Sequence, residues 1–191
     1  MKKKWTYMAA AWCLGAALAF PLGRSFAMKE TPVGMPNPVA AYDNFVELET
    51  AVGFRPLLLP KGTFLAGQYT VDGISSIDGS IAQVRYTLAD GGSLFLRSAK
   101  MEEAHPMKDI SGVYTDKWKD KKMDETTVSI AKVGKNTYAA HWTVDGYAFS
   151  LYGEQVREKD FKKLLSDVLV SFTEHFYGAE RNPMERDMAR F

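Results

Sequence analysis

Thiol chemistry is nearly absent from this chain. Its 191 residues contain one cysteine, Cys13, which sits inside an N-terminal apolar run. One thiol makes no internal disulfide, and there is no Cys-x-x-Cys pair to hold zinc or exchange disulfides. Histidine is scarce too, with three copies in the whole chain. No Gly-x-Ser-x-Gly elbow occurs, which removes the α/β-hydrolase route to a serine nucleophile. No glycine-rich loop opens a helix, so the usual phosphate cradles are missing; Gly91-Gly92 reads as a turn between strands. The longest apolar run, residues 5–20, falls short of the roughly 20 residues needed to span a bilayer.

What the first 27 residues do contain is an ordered set of features. Lys2, Lys3 and Lys4 give a basic start, the apolar run follows, and Pro21 and Gly23 break it before Ser25-Phe26-Ala27. Basic end, apolar centre and small residues at −3 and −1 describe a secretory signal with cleavage after Ala27. Cys13 does not fit a lipid-attachment site, because bulky Trp12 precedes it and it lies in mid-run. Left uncleaved, the segment would be the chain's sole contact with a membrane. Loss of residues 1–27 removes four basic residues and no acid, so the formal charge moves from +1 to −3. A slightly acidic mature domain argues against nucleic acid or an anionic membrane surface as its main partner.

The remaining pattern predicts a linker over 28–43, a single α+β domain over 44–172 and a charged tail over 173–191. Asn44 with Glu47 three residues on forms a helix start, Phe45, Leu48, Ala51 and Val52 share a side, and Gly53 supplies the stop. Pro56 and Pro60 keep residues 54–60 extended. Strands are expected over 64–71, 81–88, 126–133 and 137–144, with return strands after Asp90-Gly91-Gly92 and Asp145-Gly146. The first of these turns places Leu88 opposite Leu94, and the second places Val144 opposite Tyr147 and His141 opposite Ser150. Residues 100–125 break the rhythm and offer only Ile110, Val113, Tyr114 and Trp118 as core material. From 158 to 172, Phe161, Leu164, Leu165, Val168, Leu169 and Phe172 recur with helical spacing. The expected fold is an antiparallel sheet of about six strands, covered on one face by a short N-terminal and a longer C-terminal helix.

Few residues suggest chemistry. Glu102, Glu103 and His105, with Asp109 nearby, form the best metal or general-base cluster, but Pro106 limits any helix there. His141 and Ser150 face each other across a hairpin without an acid in place to orient the histidine. Lys117, Lys119, Lys121 and Lys122 surround Trp118, and Asp116, Asp120 and Asp124 dilute them into a solvated loop. Aromatics cluster in the second half, and an uncovered sheet face bearing them would make a binding surface. The candidate ligand-binding residues are therefore Tyr114, Trp118, Tyr138, His141 and Tyr152. No catalytic residue, metal ligand or cofactor is expected.

Several short stretches carry a likeness. Val52-Gly53-Phe54-Arg55-Pro56, Leu59-Pro60-Lys61-Gly62, strand 81–88, Asp109-Ile110-Ser111-Gly112, Ala140-His141-Trp142 and Asp145-Gly146-Tyr147 lie in an order, over residues 45–172, that resembles a bacterial exported domain of unknown function. Such domains occur at the outer end of some anti-sigma regulators and in exported proteins or lipoproteins. The resemblance implies a sensing, binding or envelope-associated module with no assigned catalytic residues. Regulators of this kind carry a cytoplasmic segment before a membrane helix, so a stand-alone exported domain is expected here. Its partner would be an envelope protein, a polymer or a small apolar ligand. The alternatives are a carrier with an apolar cavity between sheet and helices, or a small envelope-polymer hydrolase.

Overall fold

The computed structural model describes residues 38–60, 69–102 and 108–178. The signal-like stretch, His105 with Glu103, and the chain beyond 178 lie outside the described residues. Eight strands form one antiparallel sheet in the order β1-β2-β3-β4-β8-β7-β6-β5. They are β1 Val39–Ala41, β2 Tyr69–Ile77, β3 Ile81–Leu88, β4 Ser93–Lys100, β5 Lys119–Met123, β6 Thr126–Gly134, β7 Thr137–Val144 and β8 Tyr147–Glu154. Neighbours in sequence are neighbours in the sheet within each half, and the halves meet antiparallel along β4 and β8.

The α+β class and the antiparallel sheet agree with the sequence, but there are eight strands rather than about six. The extra two come from stretches read as linker and as charged loop. β1 is three residues long and wholly exposed, with no apolar face to announce it; the Asp78 N–H donating to the Pro38 carbonyl at 2.7 Å closes its pairing with β2. β5 is the opposite edge, Lys-Asp-Lys-Lys-Met. Charge on an edge strand discourages pairing with another chain, and it also erases the apolar alternation by which strands are recognised.

Turn chemistry fixes the registers. Asp145-Gly146 pairs Val144 with Tyr147, Trp142 with Phe149 and His141 with Ser150, as the two-residue turn requires. The β3–β4 turn differs from expectation: Tyr86 faces Leu94 and Val84 faces Leu96. Its loop lies one residue earlier, closed by the Leu88 N–H to the Gly92 carbonyl, with Gly91 at φ +86 taking the left-handed position. Gly92 is required for another reason, since a Cβ on it would lie 2.9 Å from the Gln155 carbonyl oxygen. The resulting shift is two residues, so every side chain keeps its face.

The helices share one face of the sheet. α1, Phe45–Val52, starts where the Asn44 side chain accepts from the N–H groups of Val46 and Glu47, and Gly53 ends it at φ +74. Leu48 is its buried contact. Residues 54–60 then lie extended against the sheet, where Ser98 and Tyr86 hydroxyls accept the N–H groups of Leu57 and Leu59. α2, Glu158–Leu164, leads through a π-helical stretch, Leu165–Val170, into α3, Ser171–Gly178. The wider π turn rotates the apolar stripe. Before it Phe161 and Leu164 are buried, within it Leu165, Leu169 and Val170, and after it Thr173 and Tyr177, while Val168 and Phe172 move to the margin. Helix thus continues past 172, and its last turns belong to the core: the Trp142 indole donates to Thr173 at 3.0 Å and the Tyr177 hydroxyl donates to the Arg55 carbonyl at 2.9 Å. Among the described residues no helix is long and apolar enough to cross a membrane.

Candidate functional site

The face away from the helices is organised around one row of polar side chains. Reading across the strands, Ser75 pairs with Gln83 and Gln83 with Arg97. Arg97 then pairs with Ser150, Ser150 with His141, His141 with Ser129 and Ser129 with Asp120. The row spans seven strands, because side chains directly opposite in antiparallel pairs fall on the same face. Only its His141–Ser150 step was legible from one hairpin; the others needed the sheet order. Hydrogen bonds link parts of it: Gln83 Nε2 donates to Ser75, Arg97 Nε donates to Gln83 Oε1 at 2.8 Å, and Ser129 donates to Asp120 at 2.6 Å.

Residues 109–113, an irregular segment within the stretch read as loop, cross this row as a strap. Arg97 Nη1 donates to the carbonyls of Ile110 and Ser111 at 3.0 and 2.8 Å. Two short side-chain turns shape the strap: Asp109 accepts the Ser111 N–H, and Ser111 Oγ accepts the Val113 N–H. Gly112 sits at φ +69, and a Cβ there would meet Arg97 Nη1 at 2.8 Å, so the close approach of backbone to guanidinium needs glycine. Ile110 seals one end by packing on Ala99 and Ala148. Burial lowers the Arg97 pKa, opposed by the Asp109 carboxylate.

Four of the five candidate residues belong to this face. His141 Nε2 lies 3.9 Å from Asp109 Oδ2, and its ring meets Trp118 edge-on with centroids 4.7 Å apart. Tyr152 lies beside Phe95, their centroids 5.9 Å apart. Burial, then the hydrogen bond to Glu154, raises the Tyr152 hydroxyl pKa. Tyr114, read as core material, instead stands fully in solvent at 101 % relative exposure. Between strap and sheet is a shallow depression of about 380 Å³, bordered by Phe95, Arg97, Val113, Tyr114, Tyr152 and Glu154. Tyr138 is elsewhere. It is on the helix face, 4 % exposed, packed on Phe161 with centroids 5.5 Å apart.

The constellation does bring an acid near the histidine, which the sequence could not do. Ser150, however, is 1 % exposed, so a substrate carbonyl has no path to its hydroxyl. No group of three or more His, Cys, Asp or Glu side chains suited to a metal occurs among the described residues. The sheet–helix interior is closed by Trp142, Phe149, Phe161 and Leu165, each at most 1 % exposed. A cleft of about 540 Å³ at the α3 end, bordered by Phe54, Phe172 and Phe176, opens outward. Compared with protein-family models, curated proteins and solved structures, the chain matches none.

Proposed function

We propose that the protein is an exported, non-enzymatic binding domain of the bacterial cell envelope, and that it engages an envelope protein or polymer through the strap face. The observation that carries this reading is Tyr114, a fully exposed aromatic ring at the rim of a depression already lined by Phe95 and Tyr152. A large apolar ring left in water, beside further aromatics and a polar rim, is how contact surfaces are built. The basic-apolar-small order of residues 1–27 supports export. The sealed Ser150 hydroxyl favours binding over hydrolysis, and the filled interior favours a surface contact over carriage of an apolar ligand.

Mass spectrometry of the protein purified from its native envelope tests both halves. The expected N-terminus is Met28, and the expected co-purifying molecule is lost from the Tyr114→Ala/Tyr152→Ala double variant without a change in thermal midpoint. An intact N-terminus on a cytosolic protein overturns the location. Undiminished capture by the double variant overturns the surface.

A further inference from the structure

On the helix side, a groove of about 610 Å³ lies between the β5 edge and the first turns of α2. Five lysines reach it: Lys117, Lys119 and Lys121 along the edge, Lys132 from β6 and Lys162 from α2. All five are exposed. The β5 register explains how a segment of mixed charge becomes one-sided. Lys119 and Lys121 pair with Ile130 and Val128, on the helix side, whereas Asp120 pairs with Ser129 and accepts its hydroxyl on the strap side. Strand alternation therefore turns Lys119 and Lys121 toward the helix side and the Asp120 carboxylate toward Ser129.

Asp120 also borders the groove, its carboxylate held by the Ser129 hydroxyl, and the second acidic residue there is Glu158. It is bonded to Lys162, and that ammonium, with Lys132, holds its pKa below the usual carboxylate value. Lys132 Nζ sits 5.8 Å from the Tyr138 ring centroid, over the floor. Lys117, Lys119 and Lys121 have no ion-pair partner among the described residues. Protection of an edge strand accounts for lysines on β5. It does not account for Lys132 and Lys162, which arrive from an inner strand and a helix to face the same space.

We propose that this groove binds a linear polyanion whose charges are carried on phosphate groups, laid along β5. Alternate strand residues repeat at about 6.6–6.8 Å, so the cations form a row rather than a cage around one phosphate. Ammonium groups on flexible stems suit phosphate oxygens as point charges. The groove is recessed between strand and helix, which admits a chain more readily than a flat bilayer. This site is separate from the strap face and stands whether or not that face binds anything.

The test is binding of a labelled short inorganic polyphosphate to the full chain, followed by anisotropy over a range of salt. The Lys119→Gln/Lys121→Gln/Lys132→Gln variant is expected to bind roughly tenfold or more weakly at low salt, with a log–log salt slope flatter by about 2. Lysine-to-arginine changes at the same positions should restore affinity, and Glu158→Gln should tighten it. An unchanged thermal midpoint shows that the variants fold. Four results would each overturn the proposal: no salt-dependent binding by the parent chain, binding to anionic phospholipid vesicles but not to polyphosphate, equal binding by the triple variant, or no tightening by Glu158→Gln.

Discussion

The two faces of this sheet are covered in different ways. Against one face lie helices and an extended segment, joined to it by a continuous set of large apolar side chains in which Trp142, Phe149, Phe161 and Leu165 are essentially dry. Across the other runs the strap, held by two carbonyls on one guanidinium, two side-chain turns and a single isoleucine plug. The first arrangement is stabilised in proportion to the apolar area it removes from water. The second depends on a few directional contacts, each of which is lost all at once. Stability and potential function are thereby divided between faces: the apolar side sustains the fold, while the polar side presents a segment held by few contacts.

Removing part of the apolar side gives the largest expected effect. Phe161 is 1 % exposed and packs on Tyr138, while its ring edge lies 3.1 Å from where a Cβ on Gly153 would be. Phe161→Ala should cost about 3–5 kcal/mol in urea unfolding, the range for emptying a packed aromatic site. Strap amides should keep their exchange rates under native conditions until global unfolding takes over. Faster strap exchange by a local route would show that the faces are coupled and would break the comparison.

The same division explains how much was legible in the residues. The helix face declares itself by repetition: alternation in β3, helical spacing from Phe161 onward, and Asp145-Gly146 setting a register that holds at every pair of β7 and β8. What escaped was whatever depends on the chain's third dimension. The π turn rotated the buried stripe from Phe172 to Thr173 and Tyr177, because one extra residue per turn leaves no mark in a pattern of apolar letters. The polar row escaped because its members come from seven strands, each contributing one unremarkable Ser, Gln, Arg, His or Asp. Tyr114 had two readings, core material and binding candidate, and its full exposure removes only the first. Tyr138 and Tyr152, grouped as candidates, lie on opposite faces, a separation that period two along β7 and β8 already implies.

Alkali provides an intermediate test of the helix face. Burial pushes the Tyr86 hydroxyl to a pKa of about 12, against the opposing hydrogen bond from the Leu59 N–H. In the unfolded chain the phenol ionises near pH 10. The folded state therefore holds the proton more tightly, and its contribution is fully present below pH 10 and lost as pH rises toward 12. The loss should amount to about 2–3 kcal/mol over that window. Tyr86→Phe should be flatter between pH 10 and 12 than the parent, as measured by urea midpoints at each pH. Parallel curves for the two proteins would show that Tyr86 does not carry the alkaline sensitivity.

The strap should answer to a change that hardly touches the global fold. Arg97→Lys keeps the charge but has one compact ammonium where the guanidinium fork reaches Gln83 and two strap carbonyls at once. The lost bonds correspond to about 1–2 kcal/mol, felt mainly by the local opening of the strap, since the apolar face does not need Arg97. Hydrogen exchange at the Ser111 and Val113 amides, both held by strap side chains, should quicken by roughly 5- to 30-fold. The urea midpoint should move much less than in Phe161→Ala. Equal acceleration across β3 and β8 would mean that the strap opens only when the sheet does. Acceleration confined to 109–113 would mean that the face bearing Tyr114 and Tyr152 can be remodelled independently of the core, as a surface that adapts to a partner requires.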